Sequence, residues 1–409
     1  MTEYELLAFL AVLSAAALVV AWVGRRLDPA LARLLWLALA LRVVGSCLRY
    51  WVLFNVYRGV GDATGYYGNG VRIAARLREL DFSFIDPAYY WSTPFVKMVS
   101  GGVILLIGPT MLGEFLFFSL LSLVGLWCVF RAVQEAAPQG DHRMCLLALA
   151  VSPSLWFWPS SVGKEALLLL GLGLVMRGYV GTAGRVRWWS LLAGLIVAGL
   201  VRPHIAALAG LALVFAEVAP GTEWTKARIA KLAALGCAAV VLVLRAGTSF
   251  GFDPTEVEQV QAFVEVAGQR TVRGGSSIEV LSGPAALPLG LLNVLFRPFP
   301  WEARTPGLAL AALELVVLWT VVWLKRGELL TTLRGWQEHR ALRFALPCAL
   351  LLAVAYGMTF FNLGILARQR VTVVALLLTL FAARSGPEQA PPPPRPGLRS
   401  RHDRLRSHT

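Results

Sequence analysis

The stretch LLAFLAVLSAAALVVAWV, residues 6–23, contains eighteen consecutive residues without a charge. An α-helix needs about 20 apolar residues to cross the hydrocarbon core of a bilayer. The run ends in GRRLD rather than in a small-residue cleavage site, so we expect a retained membrane span and no cleavable signal. This stretch therefore indicates a helical membrane protein.

Similar runs recur along the 409 residues, of which 57% are hydrophobic and 15% charged. Soluble domains carry about 25% charged residues, and unbroken apolar runs also exclude a transmembrane barrel, whose strands alternate. We predict an all-α polytopic membrane protein with one integral domain over residues 1–385. The eleven predicted spans are residues 5–24, 35–56, 111–131, 144–159, 165–180, 188–201, 205–219, 229–246, 307–324, 343–361 and 371–384.

The net charge of +14 is unevenly divided between the connections. If the spans alternate in direction, 22 of the 38 Lys and Arg residues fall on one side, whereas most of the 24 acidic residues lie elsewhere. The positive-inside rule then predicts a multi-pass protein of a bacterial-type inner (plasma) membrane, with the N-terminus outside and the C-terminus cytoplasmic. The excess charge is a topological signal, so no nucleic-acid partner is expected. Residues 386–409 are rich in Pro and Arg and predict a disordered basic tail.

This topology leaves two long outer segments, about residues 57–110 and 247–306. The first contains GDATGYYGNG, residues 61–70, which we predict as a glycine-rich turn followed by an amphipathic helix from Val71. The run PFVKMVSGGVILLIGP, residues 94–109, is short and interrupted by glycines. We expect it to form a second juxtamembrane helix that lies in the membrane interface rather than a further span.

Several connections place ionisable side chains at membrane depth on the predicted outer side. Such groups cost about 2.5–3.5 kcal/mol each to insert and usually line a cavity or mark a functional site. The candidate phosphate- and lipid-binding residues are Lys164, Arg202, His204, Arg297, Arg368 and Arg370. Their alternative roles are interface anchors or, for the histidine, a structural side chain. Facing Asp62, they predict an anion site beside one carboxylate.

Aromatic and acidic residues near these cations complete the predicted site. The candidate sugar or acceptor contacts are Tyr66, Trp301 and Glu302, although the last two lie in an aromatic turn that is also typical of an interfacial belt. Asp86 is a second candidate acid, and its position before Pro87 is equally typical of a helix cap. For Asp62 the alternative is an Asx-turn. Cations, aromatic rings and apolar spans together favour an isoprenoid-phosphate sugar as the ligand.

The order of these features resembles the GT-C superfamily of polytopic glycosyltransferases, especially the polyprenyl-phosphate-sugar-dependent, protein O-mannosyltransferase-like members. The resemblance covers about residues 35–220 and includes LRYWVLFNVYRGVGD (48–62), TPFVKMVSGGVILLIGP (93–109) and LALAVSPSLWFWPSSVGKE (147–165). It implies sugar transfer from a polyprenyl phosphate to a glycan or glycolipid acceptor at the extracytoplasmic face. It also implies that Asp62 serves as the general base or binds a divalent metal, Mg²⁺ or Mn²⁺. Many members have paired acids there, whereas Ala63 follows Asp62 here.

Two other functions remain open at this stage. An O-antigen or exopolysaccharide polymerase joins lipid-linked repeat units and commonly uses arginines of two outer loops. The candidates for that role are Arg202, Arg270, Arg273, Arg297 and Arg368. A lipid-sugar transporter would need polar groups on both sides of a midplane site and an internal repeat, and the sequence has neither feature in evident form.

Overall fold

The computed structural model describes residues 3–86, 90–182, 185–218, 225–272, 276–281 and 285–382. The predicted tail, residues 386–409, and Arg273 lie outside these ranges. Within them the chain is helical, and its only extended pairings are two isolated bridges, Thr182 with Arg185 and Ser277 with Asn362.

The described residues form eighteen α-helices joined by short turns. The helices of the first half are α1 Glu3–Gly24, α2 Pro29–Trp51, α3 Asp62–Arg78, α4 Thr93–Ile107, α5 Met111–Ala136, α6 His142–Val151, α7 Pro153–Phe157, α8 Lys164–Val180 and α9 Trp188–Val201. Those of the second half are α10 Pro203–Val218, α11 Lys226–Phe250, α12 Val257–Thr271, α13 Ala286–Phe296, α14 Pro306–Leu324, α15 Arg326–Arg334, α16 Arg340–Thr359, α17 Leu363–Gln369 and α18 Val371–Leu377.

Six helices of the described residues are long and apolar enough to cross a membrane. They are α1, α2 with its π-helical extension to Val56, α5, most of α11, α14 and α16. A seventh span results if α17 and the segment Val371–Phe381, bent by 44°, are counted together. The prediction of a multi-pass helical membrane protein is confirmed in this form, whereas the number of eleven spans is not.

The other predicted spans are helical but short. Residues 144–159 are divided at Pro153 between α6 and α7, and the helices α8, α9 and α10 contain 17, 14 and 16 residues. A 16-residue helix is about 24 Å long at 1.5 Å per residue, which is less than the hydrocarbon core of about 30 Å. Proline lacks an N–H and ends the hydrogen-bond ladder of a helix. These breaks create helix ends inside the bundle.

The glycine-rich stretch predicted as a turn is the first half of α3, which begins at Asp62. One of its three glycines, Gly70, serves the packing of α3 on α4, the other helix of the first predicted outer segment. A Cβ added to Gly70 would lie 2.9 Å from the Cβ of Ser100, and one added to Gly101 would lie 2.7 Å from the Cβ of Ile73. The close approach of the helices therefore requires glycine, and this packing outweighs its low helix propensity.

Two buried arginines satisfy carbonyl groups at helix ends inside the bundle. The guanidinium of Arg42, in α2, donates a hydrogen bond to the carbonyl oxygen of Leu155. Arg370, between α17 and α18, donates from Nη1 to the carbonyl oxygens of Val294 at 3.3 Å and Arg297 at 2.6 Å. A buried carbonyl without a donor would be costly. These arginines therefore satisfy the ends of α7 and α13 inside the bundle.

Candidate functional site

Three helix starts converge on a cavity of about 390 Å³. Asp62 is the first residue of α3, Ser161 and Val162 precede α8, and Asn362 caps the N-terminus of α17. The polar lining residues are Arg49, Asp62, Ser161, Ser276, Thr305, Asn362 and Arg368, and the apolar ones include Leu53, Trp158, Leu308 and Ile365. The cavity thus combines a charged wall with an apolar wall built from α2, α14 and α17.

Arg368 is the central cation of the charged wall. Its Nε lies 2.9 Å from Oε1 of Glu165 and its Nη2 lies 3.0 Å from Oε2, so the guanidinium and the carboxylate form a two-point fork. Its third nitrogen, Nη1, lies 3.2 Å from Oδ2 of Asp62. One guanidinium therefore joins the starts of α3 and α8 at the last turn of α17.

Glu165 is a buried anion with several donors around it. It is only 2% exposed, and besides Arg368 it lies 3.9 Å from Nη2 of Arg202 and 3.4 Å from Nε2 of Gln369. Arg202 also donates a hydrogen bond to Oε1 of Gln369. A buried carboxylate remains charged only when it is paired in this way. For Lys164 and Glu165, side by side at a predicted span start, the sequence leaves open a site role or, as the alternative, an interface anchor and a first-turn acid favoured by the helix dipole.

Arg49, in the last turn of α2, is the second cation of the cavity and was not predicted. Its guanidinium lies 5.1 Å and 5.3 Å from the ring centroids of Phe157 and Trp158, and its Nη2 donates to Oγ of Ser161 at 3.3 Å. Its buried Nε has no hydrogen-bond partner, and in the described part of the chain no carboxylate lies within 4.0 Å of it. Because Arg49 lines the cavity without a neighbouring carboxylate, its positive charge is available to an anion there.

Lys164, His204 and Tyr66 lie near this cluster but do not line the cavity. Nζ of Lys164 donates to Oγ of Ser92, before α4, at 3.0 Å. Tyr66 is buried, 6% exposed, one turn after Asp62 in α3. His204 is half-buried in the first turn of α10, two residues after Arg202. None of the three therefore faces the cavity directly.

Arg297 and Glu302 pair with each other beyond the cavity. Nε of Arg297 lies 3.0 Å and 3.1 Å from the two carboxylate oxygens, and the backbone N–H of Phe299 donates to Glu302 at 2.9 Å. Burial acts to raise the pKa of Glu302, but the hydrogen bonds from Arg297 and Phe299 outweigh it and lower that pKa. Trp301 is 79% exposed and stacks on Phe299, with ring centroids 4.8 Å apart. These residues form a compact turn before α14.

The structure thus brings together only part of the predicted set. Lys164, Arg202 and Arg368 gather around Glu165, and Asp62 contacts this group through Arg368. Arg370 is buried against the end of α13 and does not line the cavity. Arg297, the residue that follows α13, does not line it either. Asp86 is exposed and is also absent from the lining.

The predicted divalent metal has little room between the two carboxylates of the cluster. Asp62 and Glu165 lie on two edges of the Arg368 guanidinium, which already supplies the positive charge between them. No group of three or more His, Cys, Asp or Glu side chains that could hold a metal ion occurs among the described residues. The role of Mg²⁺ or Mn²⁺ therefore stays a prediction.

The formal charges of the cluster favour an anionic ligand. The cluster holds four cations, Arg49, Lys164, Arg202 and Arg368, and two carboxylates, Asp62 and Glu165. Of these, Arg49, Arg368 and Asp62 line the cavity, so its wall also carries more positive than negative charge. Partly buried charges are screened less by salt than surface charges, and arginine is suited to phosphate through its planar fork. The cavity can therefore bind a phosphate group beside an apolar chain.

Comparisons with protein-family models, curated proteins and solved structures find no match for this chain.

Proposed function

We propose that this chain is a membrane glycosyltransferase that moves a sugar from a polyprenyl-phosphate donor to a glycan or glycolipid acceptor. The observation that carries the proposal is the meeting of Arg49, Arg368 and Asp62 at one cavity with an apolar wall. In this proposal the cavity opens at the extracytoplasmic side of a bacterial-type inner membrane, with the N-terminus outside and the C-terminus in the cytoplasm. The distribution of basic residues over the connections supports that orientation.

The two cavity arginines bind the donor phosphate. Arg49 lines the cavity and has no carboxylate within 4.0 Å among the described residues, and Arg368 offers Nη1, whose present acceptor is the carboxylate of Asp62. Hydrogen bonds between arginine and phosphate are charge-assisted and about twice as strong as neutral ones. The excess positive charge also stabilises the phosphate as it gains negative charge on leaving.

The remaining walls suit the other parts of the donor. Leu53 and Tyr57 at the end of α2 and Leu308 in α14 belong to or adjoin candidate spans, so a polyprenyl chain can reach the cavity from the bilayer. The hydroxyl groups of Ser161 and Thr305 provide hydrogen-bond partners for a sugar. The volume of about 390 Å³ lies within the range of about 300–1,000 Å³ that is usual for small-molecule sites.

Asp62 acts as the general base in an inverting displacement. The acceptor hydroxyl oxygen forms a bond to the anomeric carbon while its proton passes to Asp62. The bond between that carbon and the phosphate oxygen breaks, and the polyprenyl phosphate leaves with the bonding electrons. Since phosphate leaves without protonation, no second acid is needed. Asp62 must first separate from Arg368. This happens when a phosphate oxygen replaces Asp62 as the acceptor of the hydrogen bond from Nη1.

The purified full-length chain in detergent, supplied with defined polyprenyl-phosphate sugars and an acceptor glycolipid, tests the proposal. We expect transfer by the wild-type protein and its loss in Asp62→Asn. Lipids extracted from a deletion strain separate the alternatives. Unmodified acceptor supports a monosaccharide transferase, whereas single repeat units left on the lipid carrier would point to a polymerase. Arg270, a candidate for that alternative, lies in α12 and does not line the cavity.

A further inference from the structure

We infer that Glu165 is a positioning residue, which fixes the guanidinium of Arg368 so that Nη1 faces Asp62 and the cavity. The identity of the ligand as a polyprenyl phosphate rests on the proposed function. The geometry of the Arg368 pair stands independently of it.

The fork between Glu165 and Arg368 determines the orientation of the guanidinium. Its two contacts, 2.9 Å from Nε to Oε1 and 3.0 Å from Nη2 to Oε2, fix both the plane of the group and its rotation within that plane. Both N–H groups of Nη1 are outside this fork, and Nη1 lies 3.2 Å from Oδ2 of Asp62, which lines the cavity. A lysine at position 368 is a single point donor and cannot be oriented in this way.

The two acidic partners of Arg368 differ in burial, which makes Glu165 the fixed partner and Asp62 the exchangeable one. The side chain of Glu165 is 3% exposed, whereas that of Asp62 is 65% exposed. If a ligand displaced Asp62 from Nη1, the carboxylate would be solvated by water. If it displaced Glu165, a charge would be left buried without its partner, which is strongly unfavourable. A phosphate therefore exchanges with Asp62, and the fork to Glu165 persists in the complex.

Glu165 is itself held in place from a third helix. Arg202, just before α10, approaches Oε1 at 3.9 Å, and Nε2 of Gln369 donates to the same oxygen at 3.4 Å. Because Gln369 also accepts a hydrogen bond from Arg202, the three side chains form a closed group. The carboxylate cannot rotate without breaking several contacts. The relative position of α8, α10 and α17 thus determines, through Glu165, where Nη1 of Arg368 lies in the cavity.

A double-mutant cycle on ligand binding tests this role. The dissociation constant of a polyprenyl phosphate is measured for the detergent-purified full-length chain and for Glu165→Gln, Arg368→Lys and the double variant. We expect each single substitution to raise Kd by about ten-fold or more, since a hydrogen bond between charged groups contributes about 1.5–3 kcal/mol. In the double variant Kd equals that of Arg368→Lys, because Glu165 acts only through the guanidinium. If the increases in Kd of the two single variants multiply in the double variant, the inference is overturned. It is also overturned if Glu165→Gln binds with the wild-type Kd.

Glu314→Gln is the matched control. Glu314 is also a buried carboxylate, 5% exposed, and accepts a hydrogen bond from Oγ of Ser154 at 2.8 Å, but it does not line the cavity. We expect its Kd to remain at the wild-type value. If Glu165→Gln fails to give a monodisperse protein, Glu165→Asp replaces it in the same cycle, because it keeps the charge while shortening the reach by one methylene. In that cycle a double variant with the same Kd as Arg368→Lys supports the inference. A double variant whose increase in Kd is the product of the two single increases refutes it.

The same measurements separate this inference from the proposed function. If the wild-type protein binds polyprenyl phosphate with the expected coupling but transfers no sugar, the proposed function fails and the role of Glu165 stands. If it transfers sugar and Glu165→Gln leaves KM unchanged, the role of Glu165 fails and the function stands. A wild-type protein that does not bind polyprenyl phosphate overturns the assigned ligand.

Discussion

Nη1 of Arg368 lies 3.2 Å from Oδ2 of Asp62, although 306 positions separate the two residues in the chain. The pair joins the first residue of α3 to the end of α17 and closes one side of the cavity. Because the side chain of Asp62 is 65% exposed, such a pair adds little to the stability of the fold. It is therefore suited to open when an anion enters the cavity.

Replacement of Asp62 by asparagine tests its assignment as the general base. We expect kcat for sugar transfer to fall by about 10²–10⁴-fold, which is the usual contribution of a positioned base. The measurement is the transfer of a radiolabelled sugar from its polyprenyl phosphate to the acceptor. Asp86→Asn serves as the control, since Asp86 is exposed and does not line the cavity. Equal rates for Asp62→Asn and the wild-type protein would remove Asp62 from the mechanism.

The same substitution has the opposite effect on donor binding. Asparagine keeps the shape of Asp62 but removes the charge that competes with phosphate for Nη1 of Arg368. An exposed ion pair contributes about 0.2–1 kcal/mol, so we expect polyprenyl phosphate to bind Asp62→Asn more tightly, by up to about five-fold. Isothermal titration of the detergent-purified proteins gives both dissociation constants. Weaker binding by the variant would show that Asp62 and the phosphate do not compete.

Arg49 is expected to bind the donor phosphate directly. Arg49→Gln removes a cation that has no carboxylate within 4.0 Å among the described residues. Because the substitution breaks no ion pair within the described part of the protein, its main effect should be on ligand binding. We expect the Kd for polyprenyl phosphate to rise by about 10- to 100-fold, which corresponds to about 1.5–3 kcal/mol for hydrogen bonds to a charged group. Arg72→Gln, on the exposed face of α3, is the control. An unchanged Kd in Arg49→Gln would contradict the proposed phosphate site.

The membrane class of the chain was predictable because apolar length is a local property of the sequence. The number of spans was not, because it depends on where helices break. Pro153 and Pro203 follow such breaks, and Arg370 lies at the bend between α17 and α18, so several apolar runs form helices too short to cross a bilayer alone. Local propensity also failed in α3, whose glycine-rich start was predicted as a turn but is helical, with Gly70 packed closely against Ser100 and Gly101.

The candidate site was partly predictable for a related reason. Alternation of the spans assigned Asp62, Arg202 and Arg368 to one side, and the structure brings them close to one another. The roles of Glu165 and Arg49 depend on partners more than 100 positions away, which no local pattern reveals. In contrast, Arg297 and Glu302 are five positions apart and satisfy each other in a turn.

The packing of α3 on α4 gives a prediction about stability. Gly101→Ala places a Cβ 2.7 Å from that of Ile73. A Cβ added at the neighbouring Gly102 meets, apart from its chain neighbours and the backbone of its own helix, no heavy atom of the described residues within 4 Å. Overpacking typically costs about 1–3 kcal/mol, so Gly101→Ala should lower the melting temperature in detergent. Gly102→Ala should leave it unchanged or raise it, because alanine is the better helix former by about 1 kcal/mol. Equal melting temperatures for the two variants would contradict the helix pairing.

The ion pair between Arg297 and Glu302 gives a prediction about pH. Burial acts to raise the pKa of Glu302, but hydrogen bonds from Arg297 and from the N–H of Phe299 lower it below its ordinary value of 4.5. A carboxylate with a lowered pKa stabilises the fold at pH values above the pKa of the unfolded chain, and this stabilisation is lost as the pH falls through the lower, folded value.

Melting temperatures of the wild-type protein and Glu302→Gln in detergent check this expectation between about pH 3 and 7. The wild-type protein should melt at a higher temperature near pH 7, where Glu302 is charged and paired with Arg297. The difference should begin to narrow below about pH 4.5, where Glu302 of the unfolded chain takes up a proton. It should vanish only below the lowered pKa of the folded state, where both proteins carry an uncharged side chain at this position. A difference that stays constant over the whole range would mean that the charge of Glu302 does not contribute to stability, and that the turn before α14 is held by its backbone alone.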